Sequence, residues 1–208
     1  MAARLKGRLI TFEGAEGSGK TTQIRLLRRF LERQQREVLF LREPGGVAIS
    51  EKIRRLLLNV RHQDMVPECE MLLYMAARAQ LVREKVLPAL RKGIVVLCDR
   101  FLDSTLVYQG YGHGMDRAFI HRVGDFATQG LRPHLTIIFD VPAELGLARL
   151  GRTKDRIEQR SLAYHRRVRR GYLAIAKEEP DRVKVIKGNQ AKEVVQREVR
   201  RWVEALWT

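Results

Sequence analysis

Residues 14 to 22 read GAEGSGKTT, and Gly14, Ala15, Glu16, Gly17, Ser18, Gly19, Lys20 and Thr21 fit the spacing G-x-x-x-x-G-K-[ST]. Closely spaced glycines let backbone N–H groups wrap a phosphate chain at the start of a helix, where the peptide dipoles already favour negative charge. In that setting the Lys20 ammonium reaches the outer phosphates and the Thr21 hydroxyl holds Mg²⁺, with Thr22 closing the ATP-binding stretch. The flanks agree with this chemistry: the apolar run LITFE precedes the loop and the helical pattern TTQIRLLRRFL follows it. What lies opposite the nucleotide, and whether a phosphate is cleaved or handed on, the loop leaves open.

Three further stretches could act on phosphates or bases. Asp99 and Arg100 end the apolar run IVVLCD, and ligands of parallel sheets gather at the carboxyl ends of strands. There a carboxylate can join the shell of Mg²⁺ and a guanidinium can clamp a phosphate; a structural Asp-Arg pair is the alternative. Tyr74 and Arg78 stand four apart in a helical pattern and so share a face, offering an aromatic plane for a base and a guanidinium for a phosphate. A core tyrosine beside a solvated arginine would have the same spacing. In Arg42-Glu43-Pro44-Gly45-Gly46 the glycine pair permits close backbone approach, although an ordinary turn would use the same residues.

The elements needed to position these groups follow from periodicity. Leu9 to Glu13, Val38 to Arg42, Ile94 to Asp99, Leu135 to Asp140 and Val183 to Ile186 are short runs rich in Val, Ile, Leu and Phe, as strands buried on both faces are. Between them Ile24, Leu27 and Leu31 recur at helical spacing, Pro67 to Leu90 is long enough for one helix or two, and Val195, Val199, Trp202, Val203 and Leu206 mark a C-terminal helix. This alternation is that of an α/β protein with one five-stranded parallel sheet flanked by helices.

The chain has 208 residues, 45% hydrophobic and 31% charged, with forty Lys and Arg against twenty-four Asp and Glu, a net charge of +16. That length suits one domain with its own core, and the positive field favours anionic partners. Cys69 and Cys98 are far apart and lack any ligand pattern, so both read as reduced core residues. No run of about eighteen apolar residues occurs and no secretory leader is evident, so the expectation is a cytoplasmic protein without a membrane segment.

In combination, GAEGSGKTT, REPGG, LLYMAARAQ, DRFLDSTLVYQG, LTIIFDVP and DRIEQRS resemble the thymidylate kinases of the bacterial type, within the P-loop nucleoside monophosphate kinases. The resemblance implies a three-layer P-loop NTPase fold with a mobile lid, MgATP as phosphoryl donor, dTMP as acceptor, and a homodimer. It implies that Glu16 approaches the sugar 3′-hydroxyl, Tyr74 stacks on thymine, Arg78 contacts base or acceptor phosphate, and Arg100 beside Asp99 clamps that phosphate. Ser104, Thr105, Tyr108 and Gln109 fall in its pyrimidine-recognising stretch. Some members carry a catalytic arginine inside the P-loop; with Ala15 and Gly17 this chain resembles those that place it in the lid, here residues 147–160, where Arg149, Arg152, Lys154 and Arg156 are candidates. Val47 and Arg160 depart from the family pattern.

A different function would also use a P-loop. Residues 145–208 hold seventeen Lys and Arg against eight Asp and Glu, and a nucleic-acid-binding ATPase could place a phosphate backbone on such a surface. No recognition motif accompanies the surplus, and nucleic acid is the less expected partner.

Overall fold

Short β-branched runs without alternation can only be satisfied inside a sheet covered on both faces, and that is where they lie. The computed structural model describes residues 5–151 and 153–207. Strands β1 (Leu9–Glu13), β2 (Val38–Arg42), β3 (Val95–Asp99), β4 (Leu135–Asp140) and β5 (Val183–Lys187) form one sheet in the order β2-β3-β1-β4-β5. All four pairings are parallel. Three strands have the expected bounds, and β3 and β5 differ by one terminal residue. Both Phe12 and Arg42 register with Asp99, so the carboxyl ends of β1, β2 and β3 are level. Whatever follows Glu13, Arg42 and Asp99 therefore meets at one edge.

Alternate strand residues feed two cores. Ile10, Phe12, Leu97, Ile137 and Phe139 face α1 (Lys20–Arg33) and α9 (Lys192–Glu204), where they meet Ile24, Leu27, Leu31, Val195, Val199 and Val203. Leu9, Val96, Cys98 and Ile138 face the other layer, built from α3 (Pro67–Leu81), α4 (Leu87–Arg91), α6 (Arg117–Thr128) and α8 (Leu162–Glu178). Two helices, α2 (Ala48–Leu58) and α7 (Ala143–Ala148), follow β2 and β4, and the one-turn α5 (Leu102–Thr105) follows β3. The result is the three-layer P-loop NTPase arrangement expected from the sequence. Among the described residues no helix is long and apolar enough to cross a membrane.

Two segments wind more widely than an α-helix. The Pro67 to Arg91 stretch is continuous, with α3 joined to α4 through a π turn at Val82–Val86. Pro88, the second residue of α4, has no N–H to donate, so the break in the i→i−4 ladder that it imposes falls next to where the ladder has already changed. A second π segment, Leu106–Gly112, continues from α5; such bulges often occur at functional sites, and this one carries Tyr108 and Gln109. One core assignment is corrected here: Cys98 is buried, but Cys69 is exposed. On α3 the buried residues include Glu70, Met71, Met75 and Arg78, and Cys69 lies on the opposite side of the helix with exposed Leu72.

Candidate active site

The loop after β1 takes its shape from its glycines. Gly14, Gly17 and Gly19 have φ of 137°, 66° and 88°, values that side chains disfavour. The loop also abuts α7 without intervening side chains: a Cβ on Gly17 would lie 2.0 Å from the Gly146 carbonyl oxygen. Lys20, 8% exposed, curls back across the loop, its Nζ donating to the carbonyls of Gly14 (2.9 Å) and Ala15 (3.1 Å) and to Ser18 Oγ (3.2 Å). Burial and the nearby Arg100 charge push its pKa down to about 8, against the pull of Asp99, Glu16 and Glu13.

Thr21 Oγ1 donates to Asp99 Oδ2 at 3.0 Å, which joins the two residues expected at a metal. A hydroxyl and a carboxylate at the mouth of a phosphate loop are hard oxygen donors, and Mg²⁺ prefers few protein ligands with phosphates and waters completing its octahedron. The donor set fits that ion.

Arg100 adopts φ 72°, a left-handed conformation that costs a non-glycine residue roughly 1–3 kcal/mol and collects at functional sites. The turn sends its side chain back into the cleft. Nη2 donates to Glu16 Oε1 at 3.0 Å, Nη1 to Ser104 Oγ and to the Tyr172 hydroxyl at 3.2 Å each, and the guanidinium lies 4.9 Å from the centre of the Tyr108 ring. Behind it Glu13 accepts from Phe101 N–H (2.8 Å), Ser104 Oγ (2.6 Å) and Tyr172 (2.9 Å). Burial beside Asp103 pushes the Glu13 carboxyl up to about 7. Glu16 goes the other way: burial opposes its ionisation, but His165, Arg100, Lys20 and Tyr108 outweigh it and hold the carboxyl at about 2. Two carboxylates three residues apart thus differ because at Glu16 the cations and hydrogen bonds outweigh burial, whereas at Glu13 burial and the Asp103 charge outweigh the pull of Arg100.

The cleft between these groups has a volume of about 290 Å³, at the small end for a ligand site. Glu16, Gly17, Lys20, Thr21, Tyr74, Asp99, Arg100, Ser104, Thr105, Tyr108 and Gln109 all line it, so most of the residues chosen from sequence converge. Gly14, Ala15, Ser18, Gly19 and Thr22 complete the adjoining loop and its first helical turn.

Other candidates lie elsewhere. Arg78 is 1% exposed; its Nε donates to Glu43 Oε2 (2.7 Å), Nη1 to Thr105 Oγ1 (3.0 Å) and Nη2 to the Phe101 carbonyl (2.9 Å). It ties three walls of the cleft together from behind. Arg156, also 1% exposed, is turned away from the cleft into the protein. Arg149 is exposed and donates to the Gly17 carbonyl at 3.3 Å, beside the loop, whereas Arg152 lies outside the described residues. Lys154 does not line the cleft; Asp155, Ile157 and Glu158 of the same segment do.

Several contributors escaped the sequence reading. Glu43, in the glycine-rich turn after β2, is a buried partner of Arg78, and Arg54 lines the cleft while donating to the Pro44 carbonyl at 2.9 Å. Nothing in sequence separates Arg54 from its neighbour Arg55. Glu70 is fully buried, and its carboxyl is held at about 2 because His113, Arg156 and Gln109 outweigh the penalty of burial. A signal for it existed: Glu70, Tyr74 and Arg78 repeat at i, i+4 and i+8, one stripe of a helix. His165 is buried with Nδ1 3.3 Å from Glu16 Oε2.

Comparison with known proteins agrees with this geometry. The family model described as Thymidylate kinase matches residues 12–199. The chain is 50% identical over 196 residues to a thymidylate kinase of Symbiobacterium thermophilum, covering 94% of this chain and 92% of that one. It is 47% identical over 204 residues to a thymidylate kinase of Carboxydothermus hydrogenoformans, covering 97% and 99%. Its backbone matches the crystal structure of a thymidylate kinase from Ehrlichia chaffeensis with a TM-score of 0.79 at 33% identity, over 95% of this chain and 98% of the other.

Proposed function

The chain belongs to the thymidylate kinase family, and on that premise we propose that Lys20 and Arg100 hold donor and acceptor phosphates in line across the cleft, with Glu16 fixed between them. The enzyme is an ATP-dependent nucleoside monophosphate kinase that phosphorylates dTMP. An oxygen of the acceptor 5′-phosphate bonds to the γ-phosphorus as the bond to the β–γ bridging oxygen breaks, giving dTDP and ADP. The acceptor is already an anion, so no strong base is needed; the demand is to hold two anions together and dry.

Lys20 lies where backbone N–H groups cradle the donor chain, and Arg100 offers the acceptor phosphate a planar fork. Arg54, which lines the same cleft, adds a second cation for that phosphate. Tyr74 supplies the plane for the base, Ser104, Thr105 and Gln109 the polar edge, and Tyr108, hydrogen-bonded to Glu16 at 2.5 Å, crowds the sugar. Thr21 and Asp99 would hold Mg²⁺, which neutralises phosphate charge when bound. Arg149 is the described lid arginine placed to reach the phosphates, since it already lies over the loop. On this reading the chain is one cytoplasmic domain, with residues 147–160 as its lid.

The observation that carries this reading is the convergence of Lys20, Arg100 and Tyr74 on one cleft. It is tested by measuring diphosphate formation from MgATP with dTMP, dUMP, dCMP, UMP and AMP, each against a no-acceptor control. Strong preference for dTMP with little background hydrolysis is expected; acceptor-independent hydrolysis would overturn the geometry. The nucleic-acid alternative finds no support. Part of the basic surplus in the last third is spent on ion pairs within the fold, as in Arg166–Glu144, Arg169–Asp140 and Arg182–Asp103.

The outer surface supports a homodimer. Ile49 and Leu56 on α2, Leu72 on α3, and Phe119 and Phe126 on α6 are exposed, Phe126 at 86%, and these helices pack side by side. An apolar face of this kind marks an interface. Leu72→Glu combined with Phe126→Glu is expected to halve the mass measured by light scattering; an unchanged mass would move the interface elsewhere.

A further inference from the structure

The segment from Asp155 to Glu158 points two ways. Asp155, Ile157 and Glu158 line the cleft, while Arg156 between them turns inward to a receptor built by other elements. Its Nη2 lies 2.6 Å from Glu70 Oε2, its Nε donates to the Leu57 carbonyl at 2.8 Å, and its backbone N–H donates to the Leu58 carbonyl at 3.3 Å. Leu57 and Leu58 end α2, where carbonyls have no helical donor and the dipole is negative. A carboxylate and a helix C-terminus therefore enclose one guanidinium.

Glu70 has further partners. Arg160 Nη2 donates to Oε2 at 3.1 Å, Gln109 Nε2 donates to Oε1 at 2.8 Å, and His113 Nε2 lies 3.4 Å from Oε1. One buried carboxylate thus joins the lid, through Arg156 and Arg160, to the π segment that lines the acceptor pocket through Gln109. We propose that Glu70 and the C-terminus of α2 form the dock of the lid, and that Arg156 is a positioning residue whose seating there carries Asp155, Ile157 and Glu158 to the cleft. This rests on reading residues 147–160 as a lid. Arg156 Nη1 is buried without a hydrogen-bond partner, so the seat is incompletely satisfied. A partly satisfied contact suits a part that must release at each turnover.

The test is a double-mutant cycle in the full-length enzyme with Glu70→Gln, Arg156→Ala and the pair, with Arg156→Lys as the conservative variant. Each single change is expected to lower kcat about tenfold, equivalent to about 1.4 kcal/mol, with KM for ATP and dTMP little changed. The double variant should be no slower than the worse single one, because both remove the same contact. Arg156→Lys should recover part of the loss. Backbone amides of residues 153–160 should lose hydrogen-exchange protection in both single variants while those of the strands keep theirs, which a general loss of stability would not produce. Should Glu70→Gln fail to fold, the exchange pattern of Arg156→Lys against that of Arg156→Ala decides. Losses that multiply to about a hundredfold in the double variant, or normal turnover in Glu70→Gln beside slow Arg156→Ala, would overturn the dock and place Arg156 on the phosphates. Arg149→Ala separates this outcome from failure of the lid reading: a slow Arg149→Ala with independent losses at 70 and 156 overturns the dock alone, whereas normal turnover in every variant removes the lid.

Discussion

Lys20→Ala is expected to lower turnover by on the order of 10³-fold while leaving a folded protein. A preorganised charged donor aimed at a transferring group is worth about 10²–10³ in rate when removed singly, and the ammonium also helps fix the donor phosphates for attack. The fold should survive because the three hydrogen bonds of Nζ stay within residues 14–18, whose path is set by the glycines and not by the lysine. Lys20→Arg should rescue little: a planar fork cannot occupy the compact seat of an ammonium among two carbonyls and a hydroxyl. ADP formation in a coupled assay, with a melting curve for each variant, measures both parts. Normal turnover in Lys20→Ala would remove the loop from the reaction.

The second large effect concerns the acceptor. Arg100→Ala should lower kcat/KM for dTMP by on the order of 10³-fold, the scale of a lost charged fork at a phosphate, with KM for ATP changed by less than about threefold. The reasoning is positional. Arg100 leaves β3 and, besides its contact with Glu16 of the donor loop, is held by Ser104, Tyr172 and the Tyr108 ring, all outside that loop. Arg100→Lys should keep the charge but lose the fork, and so fall between. Initial rates with each substrate varied at saturation of the other give the split. A defect confined to ATP affinity would refute the clamp.

Legibility in the sequence followed distance along the chain. Strands and the P-loop are local: five apolar runs and one glycine spacing specify them, and β1, β2 and β4 lie where periodicity places them. Arg78 and Arg156 show where local reading stops. A lone arginine in a helix or a basic segment looks solvated, and only tertiary structure brings Glu43 to the first, 35 residues away, and Leu57 to the second, 99 residues away. Buried charge is affordable only when paired, so the burial of each arginine was unreadable until its partner was known. Cys69 failed for a simpler reason: a helix one side of which is core has another side, and composition does not say which side a cysteine takes. The π segment at Leu106–Gly112 left no trace either, because its residues also satisfy an ordinary helix.

The contact between Gly17 and Gly146 bears on how such an enzyme can change over generations. The resemblance to this family implies two placements for a catalytic arginine, in the loop or in the lid. Here any side chain at position 17 would collide with the backbone of α7, the helix that leads into the proposed lid. The left-handed backbone at Gly17 would add roughly 1–2 kcal/mol for a substituent, the smaller obstacle beside a Cβ forced to within 2.0 Å of a carbonyl oxygen. At position 17 an arginine cannot be gained by one substitution alone; α7 would have to shift first. The two solutions are separate peaks, and the glycine pair is the valley between them.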